Sequence, residues 1–156
     1  MKKTLTFLTL GIIGAAAALF LEIIFSLAFP TQVAVQEYFE RFTGLLLLVV
    51  LIEEFFKVSF LWKSLAFTPK IDLPLGGLIL GIGFGLSELV LKNIFWSEAF
   101  SLGQLSALLV HILTASLSGY LLSRSFLSEK SLVFLSFLIS TFLHLSYNLA
   151  IIHLFS

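Results

Sequence analysis

The chain contains no cysteine, which excludes disulfides, thiolate zinc sites and cysteine nucleophiles together. Charge is nearly as scarce. Asp, Glu, Lys and Arg make up 12% of the 156 residues, about half the share usual for a soluble domain of this size. Nor does one sign prevail, because nine basic and nine acidic residues give a formal net charge of zero. With no basic tail and no acidic block, nothing marks a nucleic-acid partner.

What is present in quantity is apolar. Hydrophobic residues make up 59% of the chain, and mostly apolar runs of at least about 18 residues recur, the length that marks a membrane span. These runs predict an all-α, multi-pass integral membrane protein whose solvent is the lipid bilayer of a cell membrane. Lys2 and Lys3 followed by an apolar run resemble the start of a secretion signal. The run continues through Ile23, Ile24, Phe25, Leu27 and Phe29, too far for a cleaved segment, and is read as an uncleaved first span.

Five spans are expected, over 5–28, 44–66, 75–96, 102–122 and 132–154. Each is about 20 residues or slightly longer, enough to cross a hydrocarbon core of about 30 Å as helix. They form one helical domain over 1–156, whose motif-bearing core is 44–154. Pro30 and a polar stretch separate the first two spans, and the alternation of Val33, Phe39 and Phe42 with Gln36, Glu37 and Glu40 suggests a short interfacial helix. The other links are short, so sequential spans run antiparallel. Lys2, Lys3, Lys63, Lys70, Arg124 and Lys130 fall on one side of the bundle, and Arg41 and Lys92 with Glu37, Glu40 and Glu98 on the other. This asymmetry predicts a cytoplasmic N-terminus.

Against that background, ionisable side chains inside the spans stand out: Glu53 and Glu54 in the second, Glu88 in the third, His111 in the fourth and His144 in the fifth. Ionisable groups are costly at such depth and mark function or an answering charge. Counting at 1.5 Å per residue from the span ends puts all of them roughly 12–15 Å below the outer surface, so four spans deliver polar groups to one layer. The simplest role for Lys57 is to neutralise Glu53 four residues earlier. Glu54 then still needs a proton, a cation or a metal.

His144 and Asn148 share a helix face. They suit either an interhelical hydrogen bond or amide hydrolysis, which needs an activated water and a donor for the developing oxyanion. His111, His144 and Glu88 form a two-histidine, one-carboxylate set that suits zinc with an open position for water. His153 lies beyond this layer, at the interface, and Glu22 is deep in the first span as a packing partner. Gly76, Gly77, Gly81, Gly83 and Gly85 give the third span a smooth surface for close packing or for distortion beside a substrate channel. They do not form a nucleotide-binding loop, because they lie within a membrane helix.

In order, the motifs are Glu53-Glu54 with Lys57, Phe84 with Glu88, His111 with Thr114 and Gly119, and His144 with Asn148. Over about residues 45–150 this pattern resembles the PrsW family of intramembrane proteases, a branch of the superfamily that includes the CAAX prenyl-protein endopeptidases and the bacteriocin-processing and immunity proteins. The resemblance implies a glutamate- or metal-dependent peptidase buried in the membrane, acting on a membrane-protein or membrane-associated peptide substrate. It makes Glu53 the general base, with Glu54 supporting it. His111 and His144 would orient water or bind metal, and Asn148 would help stabilise the oxyanion. Glu88 occupies the place of a histidine in the prenyl-protein endopeptidases, which is the PrsW-like variant. Zinc is the expected ion, and a metal-free mechanism in which a glutamate activates water is the alternative. Two other classes remain open, a non-catalytic, immunity-like relative and a small transporter. The transporter lacks the inverted repeat and broken helices that such sites use.

Overall fold

A computed structural model describes residues 2–28, 43–96, 102–124 and 128–155. Every long apolar run in them is helical: α1 (Lys2–Ala28), α2 (Thr43–Ser64), α3 (Leu73–Trp96), α4 (Leu102–Ser123) and α5 (Glu129–Phe155), with one turn of 3₁₀ helix at Lys70–Asp72 before α3. Helix is what lipid demands of such a chain, since no water is available there for backbone groups left unpaired. The five helices match the expected spans to within one turn at each end. The interfacial helix expected between α1 and α2 lies outside the described residues.

Four of the helices, α1, α3, α4 and α5, are long and apolar enough to cross a membrane. At 22 residues α2 has the length, but it carries Glu53, Glu54 and Lys57 near its middle. The molecule is therefore a multi-pass helical bundle in which α2 alone carries three charged side chains near its middle, among the described helices. Pro74 is the second residue of α3, in the first turn, where its missing N–H forfeits no helical bond.

Polar contacts at the helix ends report direction. Lys3 pairs with Asp72 at 3.1 Å, joining the start of α1 to the turn that begins α3. Trp62 donates to Glu129, so the end of α2 meets the start of α5. Ser106 and Tyr147 hydrogen-bond near the start of α4 and the end of α5. Adjacent helices therefore alternate in direction, as the short connections require.

At the centre is α3, which packs most extensively against α4 and α1. Its glycines make this proximity attainable. A Cβ at Gly81 would lie 2.6 Å from the His111 carbonyl oxygen and 2.7 Å from the Ile112 Cα. On the opposite face, a Cβ at Gly83 would lie 2.5 Å from the Leu8 carbonyl oxygen. Without a side chain at these positions, the backbones of α1, α3 and α4 approach closely and packing replaces the hydrophobic driving force that lipid cannot supply. An apolar cluster of Phe7, Leu61, Leu73, Leu80, Ala115, Leu122 and Leu132 fills one end of the bundle, while Ala15 and Ala18 of α1 pack with Phe84 of α3.

Gly81→Ala is expected to lower the unfolding free energy in detergent by about 1–3 kcal/mol, the usual effect of overpacking. Gly44→Ala, where a Cβ meets nothing within 4 Å, serves as the control. Equal thermal stability of the two variants would show that α3 and α4 are not in backbone contact.

Candidate active site

The single most demanding side chain in the bundle is Lys57, which is fully buried. Its ammonium group donates to Glu54 Oε1 and, at 3.1 Å, to Thr114 Oγ1, and it lies 3.0 Å from His111 Nδ1. Phe84 covers it, with the ring centroid 5.0 Å from Nζ. Every donor position of the ammonium thus has an acceptor, and its open side meets an aromatic face.

Lys57 accordingly neutralises Glu54, three residues earlier, where the spacing alone suggested Glu53. The reason is the environment of α2. Glu54 points to the side on which α4 and α5 converge, and there its Oε1 also accepts from Thr114 at 3.2 Å and contacts His144 Nδ1 at 2.7 Å. Among the described residues, Glu54 Oε2 has no hydrogen-bond partner.

Glu53 is buried as well, but it faces a different company. Its Oε2 is 3.6 Å from His144 Nδ1, and the nearby charges are Glu22 of α1 and Glu88 and Lys92 of α3. Glu88 forms ion pairs with Lys92 one turn on and with Nε2 of His111. Glu22 lies within side-chain hydrogen-bonding reach of Glu53. The convergence expected from depth counting is therefore realised: α2, α3, α4 and α5 meet in one polar layer, and the rings of His111 and His144 touch edge to face with centroids 4.9 Å apart.

Three residues of this layer form a group that could hold a metal ion. One ligand atom each from Glu53, His111 and His144 lies within 4.8 Å of the other two, and all three residues are buried. Two imidazoles and one carboxylate are a donor set that suits zinc and leaves a fourth position for water. The hydrogen bonds prepare His144 for this role. With Nδ1 engaged by Glu54 its Nε2 is the free donor, the arrangement in which an outer carboxylate orients a ligating histidine. Both nitrogens of His111 are already in use, so an ion bound there displaces either Lys57 or Glu88. Charge balance points the same way. Among the described residues, the permanent positive charges facing Glu22, Glu53, Glu54 and Glu88 are Lys57 and Lys92, with the imidazoles of His111 and His144 beside them, and the remaining negative charge in an apolar bundle calls for protons or one divalent cation.

Asn148 is half-buried one turn beyond His144 on the same face, outside the network around Lys57. His153 is exposed, as expected of an interfacial residue. Reading by motif passed over two members of the layer, Glu22 and Lys92. Their signal was the same as that of the others, an ionisable group inside an apolar run. The sequence by itself suggests helix packing for Glu22 and places Lys92 with the charges on one side of the bundle.

A family model described as PrsW family intramembrane metalloprotease matches residues 2–155, nearly the whole chain. No curated protein and no solved structure matches it.

Lys57→Met leaves Glu54 buried with its main counter-charge removed and is expected to cost about 3–5 kcal/mol of stability. Adding Glu54→Gln removes the stranded charge and is expected to restore a large part of that loss, measured by thermal unfolding in detergent. A single variant as stable as the wild type would dismiss the ion pair as an organising element.

Proposed function

The chain belongs to the PrsW family of intramembrane metalloproteases, and from that premise we propose that it hydrolyses a peptide bond in or near the transmembrane segment of a membrane-protein substrate. The observation that carries this reading is the buried Glu53, His111 and His144 group, whose ligand atoms lie within 4.8 Å of one another. A zinc ion held there would supply the positive charge that activates water and polarises the scissile carbonyl.

The residues around the ion divide the remaining work. One oxygen of Glu53 belongs to the donor group, which leaves the other to accept the proton of the attacking water and return it to the leaving amine. Glu54 Oε1 is taken up by Lys57, Thr114 and His144, so Glu54 supports the reaction by orienting His144. Glu88 orients His111 in the same way from α3. Asn148, on the His144 face of α5, is the donor for the oxyanion that forms when water adds to the carbonyl.

Orientation follows from the basic residues. Lys2, Lys3, Lys63, Lys70, Arg124 and Lys130 favour a cytoplasmic N-terminus, which puts the polar layer in the outer half of the bilayer. The substrate segment then reaches the site laterally and unwinds at the bond to be cut, because a helical peptide bond has its carbonyl committed to the next turn.

Purified protein reconstituted with zinc is expected to retain about one equivalent, the stoichiometry of a single catalytic site. His111→Ala and His144→Ala variants that still fold should lose it. Wild type without bound metal would leave water activated by Glu53 alone. Glu53→Ala should slow cleavage of a membrane substrate at least about a hundredfold, the typical contribution of a positioned base. A variant that cleaves as fast as wild type would remove Glu53 from the chemistry.

A further inference from the structure

Beneath the Glu and His layer, the interface of α4 and α5 is lined with hydroxyls. The register set by Ser106 with Tyr147 and by His111 with His144, stepped one turn at a time along the antiparallel pair, brings Thr114 level with Ser140, Ser118 with Ser136 and Leu122 with Leu132. Thr114, Ser118, Ser136 and Ser140 are all buried. In a membrane helix such a hydroxyl ordinarily bonds to a carbonyl of the preceding turn. Ser140 does so, donating to the Ser136 carbonyl at 2.8 Å, and Ser64 on α2 donates to the Leu61 carbonyl at 2.7 Å. Ser118 and Ser136, both at 0% exposure, do not, and neither does Thr141, one turn before His144. Among the described residues, Glu54 Oε2 has no hydrogen-bond partner either.

Unpartnered oxygens buried together are costly unless water satisfies them, and a buried water typically takes about three bonds from such groups. We propose that the hydroxyl-lined space between α4 and α5, below the contact of Glu54 with His144, is a water-binding site that supplies the nucleophile while the substrate covers the opening. Leu61, Leu122 and Leu132 belong to the apolar cluster that closes its far end, so the space is a store rather than a channel. The need for one follows from hydrolysis itself, and the inference rests on the protease reading above. Each turnover consumes one water: its oxygen bonds to the carbonyl carbon, the C–N bond breaks, and one proton goes to the departing amine while the other remains with the new carboxyl group. A transmembrane segment seated at the opening separates the site from bulk solvent. Water retained behind the histidines meets the scissile carbonyl from the protein side.

The test uses the full chain in lipid bilayers with ¹³C-labelled serine and threonine, and follows magnetisation transfer from water by solid-state NMR. Transfer to Ser118 and Ser136 is expected to approach that of the exposed Ser128. Transfer as slow as at Ser64, a buried serine whose hydroxyl is already bonded, would overturn the water site. Because this arm needs no cleavage, it decides the site even if the protein proves not to hydrolyse its substrate, an outcome that would sink the protease reading separately. In the kinetic arm, Ser118→Ala with Ser136→Ala is expected to lower kcat roughly tenfold at unchanged KM, and Ser136→Thr to retain the rate. An unchanged kcat in the double variant would overturn the supply role.

Discussion

Inside an apolar bundle an ammonium group must be answered where it lies, and the burial of Lys57 constrains everything near it. The side chain is sealed by Phe84, so neither water nor snorkelling to the surface relieves its charge. Glu54 provides the opposite charge, and Thr114 and His111 provide the remaining acceptors. Because these partners come from α2 and α4, and Glu54 in turn holds His144 of α5, one buried ion pair sets the relative rotation of three helices.

The same arrangement separates two adjacent carboxylates into different roles. Glu53 and Glu54 are chemically identical and differ in position by about 100° around α2. Glu54 faces the lysine, the threonine and a histidine and becomes part of the scaffold. Glu53 faces the gap between α1 and α3, where Glu22, Glu88 and Lys92 leave negative charge uncompensated. In the function proposed above, the carboxylate with acidic neighbours and two imidazoles close by is the one that takes an ion and a proton. The functional division thus comes from rotation about a helix axis and not from residue type.

Close packing of α3 supplies the precision that loosely associated membrane helices would lack. The Gly81 backbone lies against the backbone of α4 at His111 itself, so the helix that carries Glu88 and the helix that carries His111 are fixed at the level of the site. Their contact through Glu88 and Nε2 of His111 is a consequence of that approach. A bulkier residue at 81 would separate a carboxylate from the imidazole it orients, and the effect would appear as disorder in the site as much as lost stability.

The amino-acid sequence by itself determined the membrane class, the five helices and the sharing of one polar layer by several of them. These depend on run length and rise per residue, which are local properties. It also singled out Glu53, Glu54, Glu88, His111 and His144, which the structure brings into one layer, because ionisable groups are conspicuous in apolar runs. Pairing was another matter. Lys57 stands four residues from Glu53 and three from Glu54, and both spacings allow contact along one helix. Only the packing of α4 and α5 against one side of α2 decided for Glu54. Glu22 and Lys92 entered the layer for the same reason, since α1 and α3 are brought together by glycine contacts and not by anything adjacent to those two residues in the chain. Which carboxylate joins the two histidines is likewise a property of helix rotation, and rotation is set by close contacts between residues far apart in sequence.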